Sequence, residues 1–409
     1  VYFNSEEQFT KYGYFEIDGV KTFSKYEAWK IAQNKNLPAS DIKFIFNDNK
    51  MEELDWQKEP EESLQELYKR RAQQLRDKFD YVVLLYSGGI DSHVILNTFV
   101  KNNIKLDEVV IAGNKKYLPE TAKINQEVVK MAIPYVQSLN LEDKGTRVTY
   151  VDFGQLQLDQ FLDDNYYEKF QYFYNGPLPS WYLALRSHFF KLKIEHHVEL
   201  SKEGKTICYM WGYDKPNLFE IDGKWCFKFT DSVSEYSVRP YVNRKVLGGV
   251  LKNFYDEPFF VTPDMPEITI KQCHLLVDMI NDIRSLDDDR IVDIGFITTT
   301  GPFVEHPIGY GSPNGKWVKK KEVEKIIYPD ENPDDFGNDK VTGSVIFSTK
   351  DLWFLRGTTP SRNRWVKKWK KLLREDEGYF RYNIENFPIN SISFYSQPYI
   401  IKDWKWSSK

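Results

Sequence analysis

The sequence predicts an α/β protein: a parallel sheet with helices on both faces. Three observations carry this. From Tyr81 onward, short apolar runs alternate with segments of helical period. The runs are nearly continuous in apolar residues, as strands buried on both faces are. The first run ends in Ser87-Gly88-Gly89 and a helix pattern begins directly behind it.

The elements follow in order. Residues 1–58 read as a small α+β module. In it, "YGYFEIDGVKTF" carries a hairpin turn at Asp18-Gly19, and "SKYEAWKIAQNKN" is a helix capped by Ser24 with Glu27 at capping-box spacing. "DIKFIFND" returns as a strand. Residues 59–260 form the main domain. Leu64, Leu67, Tyr68, Ala72, Leu75 and Phe79 recur at helical spacing. "YVVLLYS", "LDEVVIAGN", "RVTYVDF" and "TICYMWGYDKP" are four strands. Between them lie the helices "DSHVILNTFVKNN", "TAKINQEVVKMAIPYVQSLN", which Pro134 kinks or splits, and one from "PSWYLALRSHFF" to "IEHHVELSKEGK". Residues 261–409 are a mixed region that opens with the helix "PEITIKQCHLLVDMINDIRSL".

Composition narrows the function. The 409 residues are 41% hydrophobic and 28% charged, with a net charge of −4. No run approaches the roughly 18 apolar residues of a membrane span, so no membrane partner is expected. No basic patch leads into an apolar core at the N-terminus, so no signal peptide is expected, although the missing initiator Met leaves a trimmed leader open. The negative charge disfavours nucleic acid as a bulk partner while leaving a local basic patch open. Cys208, Cys226 and Cys273 are few, odd in number and far apart, which fits a reducing cytoplasm and excludes an all-cysteine zinc site.

Ser87-Gly88-Gly89-Ile90-Asp91-Ser92 is the strongest functional signal. In an open parallel sheet, ligands bind beyond the C-terminal strand ends. Two glycines let backbone N–H groups approach an oxyanion, and the helix N-terminus adds positive potential. Ser87 and Ser92 supply hydroxyl donors. Asp91 would repel a phosphate directly, so its expected task is to hold Mg²⁺ against it. Ile90 points into the core. The bland alternative is a tight turn with a capping Asp-Ser.

This window resembles the pyrophosphate loop of the N-type ATP pyrophosphatases, whose signature is Ser-Gly-Gly-x-Asp-Ser. The resemblance covers roughly residues 60–220. It implies an adenine nucleotide alpha hydrolase-like fold and cleavage of ATP between its α and β phosphates, with adenylation of a substrate and release of pyrophosphate. "TICYMWGYDKP" looks like the strand end of asparagine synthetase-type domains, so Gly212 would lie beside the nucleotide and Asp214 would join Asp91 in binding Mg²⁺. That family has a glutamate where this chain has Lys215. Lys215 either contacts pyrophosphate as a point charge or is the surface lysine of a β-turn. The adenine would lie against Leu85, Ile111 and Met210. Ser180 fits the family's helix N-cap, and Arg186 faces either the phosphates or solvent.

The family's glutaminase begins with a cysteine, and no Cys precedes position 208 here. An amine or ammonia is therefore expected from outside or from a partner. Three cysteines do not fit the cyano-deazaguanine synthetases, and the further motif of NAD synthetase is not evident. The expectation is an ATP- and Mg²⁺-dependent cytoplasmic synthetase acting on a small molecule. A nucleic-acid modification enzyme and a non-catalytic nucleotide-binding protein remain as alternatives.

Other features read as structure. "GSPNGKW" (311–317) is one residue short of a Walker A loop, with Trp317 at the metal-binding position. His196 and His197 are adjacent on a helix end, pointing about 100° apart, so a solvated face is expected rather than a metal pair. Asp287-Asp288-Asp289 reads as a charged loop. "RNRWVKKWKKLLR" (362–374) is either a solvated helix with Trp365 and Trp369 packed inward or a guide for an anionic substrate.

Overall fold

The computed structural model describes residues 11–46, 48–113, 127–152, 194–212, 215–216, 218–231, 253–282, 291–293, 316–318, 320–336 and 394–403. In the N-terminal module, β1 (Tyr14–Ile17), β2 (Val20–Thr22) and β3 (Lys43–Ile45) form an antiparallel sheet in the order β2-β1-β3. The turn falls at Asp18-Gly19, with φ of +48° and +71°. Two positive φ values match the right-handed twist of a two-residue hairpin. Helix α1 (Lys25–Asn34) starts at Ser24, whose side chain accepts from the Glu27 N–H. Only this half of the expected capping box forms, because the Thr22 hydroxyl donates to the Glu27 carboxylate. The short α2 (Asn49–Glu52) follows. The complete box lies at α3 (Leu64–Lys78): Ser63 caps the Glu66 N–H, and Glu66 reaches back to the Ser63 N–H.

Then comes the alternation. In order, the chain forms β4 (Tyr81–Leu85), α4 (Ile90–Lys101), β5 (Glu108–Gly113), α5 (Ile133–Ser138), β6 (Arg147–Asp152), α6 (Glu195–Lys202) and β7 (Ile207–Trp211). A π-helical turn over Glu127–Ala132 precedes α5, and Pro134 sits in the first turn of α5. The expected split at Pro134 therefore appears as a change of helix type. Strands β8 (Leu218–Ile221) and β9 (Lys224–Phe227) form a hairpin, and β10 (Phe254–Pro258) adds to the main sheet. The mixed region contributes α7 (Pro266–Asp282), β11 (Ile291–Asp293), β12 (Lys316–Val318), α8 (Lys320–Ile327) and β13 (Tyr399–Asp403).

The main sheet is all parallel, in the order β10-β7-β4-β5-β6. Val82, Val83 and Leu84 are successive and fully buried, as are Ile207 to Met210. Successive strand residues face opposite sides, so both faces of the sheet are covered. The sequence anticipated four of these strands and missed β10, whose "FYDEP" looks too charged for a buried strand.

One apolar cluster runs from Met51 and Trp56 through α3, α4 and α7 to Tyr399 and Ile401. Trp56 stacks on Phe227 at 5.3 Å and on Tyr399 at 4.5 Å, and β13 pairs with β9. The N-terminal module is tied on by buried charge. Lys25 pairs with Asp231 at 2.8 Å, Lys11 pairs with Glu257 of β10 at 2.8 Å, and the Tyr12 hydroxyl donates to Glu257 at 2.9 Å. Among the described residues, no helix is long and apolar enough to cross a membrane.

Candidate functional site

Numbered among themselves, the five parallel strands run 3-2-1-4-5 across the sheet. The connections therefore depart in opposite directions from β4 and β7, which lie side by side. Such a switch point opens a crevice beyond the C-terminal strand ends. The exit of β4 is Tyr86-Ser87-Gly88-Gly89, and the exit of β7 is Gly212. The two stretches singled out in the sequence thus face the same crevice.

The turn is held by its own serines. The Ser87 N–H donates to Ser92 Oγ at 3.2 Å, and the Gly89 N–H donates to Ser87 Oγ at 3.2 Å. Ser92 Oγ donates to the Gly89 carbonyl at 3.0 Å. Gly88 has φ of +81°, a conformation that favours glycine. Gly89 is the N-cap of α4, and no side chain caps that helix. Its first turn therefore offers backbone donors and the positive end of the helix dipole toward the crevice. Ile90 is fully buried, as expected.

Asp91, in that first turn, is the centre of the site's charge. Its Oδ1 accepts from Lys215 Nζ at 2.7 Å and from the Tyr328 hydroxyl at 2.6 Å. Lys215 also lies 3.7 Å from Glu324 Oε1. Burial, and then the charge of Asp91, push the Tyr328 phenol far above its ordinary pKa, so it stays a neutral donor. The structure thus places Lys215 on Asp91, partly buried rather than a solvated turn lysine. Gly212 is required by space. A Cβ there would sit 2.8 Å from Ile95 Cδ1 and 3.0 Å from the Asp91 carbonyl carbon and oxygen.

The expected adenine surface fares differently. Ile111 and Met210 are sealed in the core, and of the three residues only Leu85 is partly open. Strand-end apolar residues that both faces of the sheet cover have no surface left for a base. Asp214, Ser180, Arg186, residues 311–315, Asp287-Asp288-Asp289 and the 362–374 stretch lie outside the described residues.

Sequence reasoning missed Tyr328 and Glu324, which enter from α8 and the residue after it. Tyr328 is 1% exposed. A buried tyrosine in place of phenylalanine signals a hydroxyl with a partner, but nothing in the spacing says that the partner is Asp91. The α8 end is fixed in turn by α3 and α7: the Tyr68 hydroxyl donates to the Ile327 carbonyl at 2.6 Å, and Gln272 donates to the Tyr68 hydroxyl at 2.9 Å.

The histidine expectation is overturned. His197 is fully buried, and both His196 and His197 turn their Nε2 atoms to Glu108 Oε2, at 2.8 and 2.7 Å. A buried carboxylate on β5 gathers two rings that helical geometry alone would spread.

The chain matches no protein-family model and no curated protein sequence.

Proposed function

We propose that the chain is an ATP-dependent synthetase that adenylates a small-molecule substrate, a carboxylate or amide, and releases pyrophosphate and AMP. The supporting observation is the Ser-Gly-Gly-x-Asp-Ser turn at the switch point of the parallel sheet, faced by Gly212 and Lys215 across the β4–β7 crevice. On this reading the fold is of the adenine nucleotide alpha hydrolase type. Ser87, Gly88, Gly89 and Ser92 hold the β and γ phosphates, and Lys215 neutralises the departing pyrophosphate. Asp91 and Asp214 would hold Mg²⁺, which supplies charge neutralisation. Catalysis is then positioning plus electrostatics. An amine or ammonia from outside completes the reaction.

A second reading rests on a specific observation. The Asp91 carboxylate is already engaged by Lys215 and Tyr328, which favours a nucleotide-binding protein that uses no metal and turns nothing over. One experiment separates the two. Mg·ATP is incubated with a panel of amino acids, nucleotides and tRNA, and pyrophosphate and AMP are measured beside ATP binding with and without Mg²⁺. The synthetase reading expects both products with at least one acceptor and their loss in Asp91→Ala. ADP and phosphate without AMP would sink it. Tight ATP binding that ignores Mg²⁺, with no turnover, establishes the second reading.

A further inference from the structure

We propose that Glu108, His196 and His197 form a binding site for one divalent transition-metal ion, at the start of β5 and apart from the Ser87 turn. The inference does not rest on the ATP reading. Glu108 opens β5 and pairs in register with Val83 of β4 and Arg147 of β6. It therefore lies at the start of β5 and β6 but is level with the middle of β4 and β7, four residues along β4 before Ser87.

Among the described residues, this is the group of His, Cys, Asp and Glu side chains whose ligand atoms converge, all within 4.8 Å of one another. The two imidazoles meet edge to face with centroids 4.4 Å apart, so both Nε2 atoms reach one oxygen. Donors are unevenly shared on the carboxylate. Oε2 takes His196, His197 and the Tyr81 hydroxyl at 2.8, 2.7 and 2.8 Å, while Oε1 is buried with no hydrogen-bond partner. The Thr149 hydroxyl adds to the stabilisation of the carboxylate without closing a hydrogen bond to Oε1. A fully buried carboxylate with one oxygen crowded and the other bare is a poor final arrangement for hydrogen bonds alone.

A metal ion uses the same three groups better. Two neutral imidazoles and a carboxylate suit Zn²⁺ and its neighbours rather than Mg²⁺ or Ca²⁺. Tetrahedral bonds of about 2.0–2.1 Å place ligand atoms about 3.3 Å apart. Each present contact then opens by roughly half an ångström as the ion replaces the two Nε2 protons. The tautomer is set from behind: His197 Nδ1 is hydrogen-bonded to the Tyr209 hydroxyl, the outer partner that ligating histidines usually have. When Nε2 binds metal, the proton sits on Nδ1 and is donated to the Tyr209 oxygen. His196, with 26% of its side chain exposed, gives the site its solvent entry, the side from which a water would come as fourth ligand.

The test is equilibrium dialysis of the chelator-stripped full chain against Zn²⁺ or Co²⁺ alone, without nucleotide. One equivalent should bind at micromolar free ion, and Co²⁺ should show the intense visible absorption of a four-coordinate, nitrogen-ligated ion. His196→Gln, at the partly exposed position, should weaken binding more than about 100-fold, since even an outer-shell partner is worth about 10–100-fold. Asp91→Asn should keep the equivalent, which separates this site from the carboxylate near the phosphate turn. No bound ion at 100-fold higher concentration, on the order of 0.1 mM against the micromolar affinities usual for such ligands, overturns the proposal. So does an equivalent that survives both His196→Gln and Glu108→Gln. Should His196→Gln lower the melting temperature of the metal-free protein, the wild-type Co²⁺ spectrum decides: the faint spectrum of a six-coordinate, all-oxygen ion counts against the site.

Discussion

Gly212→Ala tests the packing that brings the two walls of the crevice together. A Cβ at 212 would lie 2.8 Å from Ile95 Cδ1 and 3.0 Å from the carbonyl carbon and oxygen of Asp91. Carbon atoms in ordinary contact sit about 3.5–4.0 Å apart, so the methyl intrudes by roughly 0.5–1 Å on three atoms. Two of them are backbone in the first turn of α4 and have no rotamer to change. Ile95 is fully buried, so its Cδ1 has no solvent to move into. Overpacking costs about 1–3 kcal/mol, and the rigidity of this contact puts the expectation at about 2–3. Ile95→Val removes Cδ1 and alone costs about 0.5–1.5 kcal/mol. In the double variant one of the three intrusions is gone, so the two changes should couple favourably by about 1 kcal/mol. Urea denaturation of the four proteins measures this directly. A Gly212→Ala variant within about 0.5 kcal/mol of wild type, or a double variant that is simply additive, refutes the claim that the β7 exit leans on α4.

Two further outcomes follow from buried charge. Arg71 has no exposed surface and donates to Glu257 at 3.3 Å and to the Pro258 carbonyl at 2.7 Å. Arg71→Met should cost about 3 kcal/mol in chemical denaturation, the lower end for a broken buried pair, because Lys11 and Lys78 still face Glu257. Lys78→Met, whose side chain is 44% exposed, should cost under about 1 kcal/mol, and equal costs would contradict this assignment. The second outcome concerns pH. Burial, and then Lys101, push His93 down to about 4. The folded state therefore holds it neutral, its stabilisation is complete above about 6.5, and it drains away as pH falls toward 4. The loss is at most about 3 kcal/mol. Burial raises the Glu108 carboxyl, but the hydrogen bond and charge of His197, and then the hydrogen bond of His196, outweigh it and bring Glu108 to about 2. Its window lies lower, as pH falls from about 4.5. Denaturation midpoints at pH 7.5, 6 and 5 should fall more in wild type than in His93→Gln, and parallel falls would exclude His93 as the cause.

The sequence showed the alternation plainly, because strands covered on both faces leave unbroken apolar runs such as Val82-Val83-Leu84. It failed at β10 for a physical reason. Asp256 and Glu257 occupy a buried strand because Trp211 donates to one at 2.6 Å, and Lys11, Arg71 and Tyr12 converge on the other. Periodicity counts charges as solvated and cannot see partners 186 or 246 residues away. The same blindness explains His197, whose partner Glu108 is 89 residues distant. The capping boxes show a local version. Ser24–Glu27 and Ser63–Glu66 share the same spacing, yet a nearby threonine diverts the first glutamate and nothing diverts the second.

Lys215 is where the resemblance and the structure can be weighed against each other. A lysine where the resembled domains carry a glutamate replaces a negative charge by a positive one, and here it lands on Asp91. Asp91 and Lys215 thus pair across the crevice, with Glu324 3.7 Å from the lysine, and the buried Tyr328 phenol just after α8 supplies a second, uncharged donor. A phosphate chain on the Ser87 turn would compete with Asp91 for the lysine, while a cation would compete with the lysine for Asp91. On charge, the two exchanges belong together: phosphate draws Lys215 away and leaves the carboxylate ready for a divalent ion. Phosphate alone would leave the Asp91 charge without its lysine in a partly buried site, while a cation alone would leave Lys215 only the more distant Glu324. The proposed synthetase should therefore bind ATP and Mg²⁺ as one unit. The dependence of ATP affinity on Mg²⁺, more than the turn itself, decides whether this crevice holds a substrate or merely a ligand.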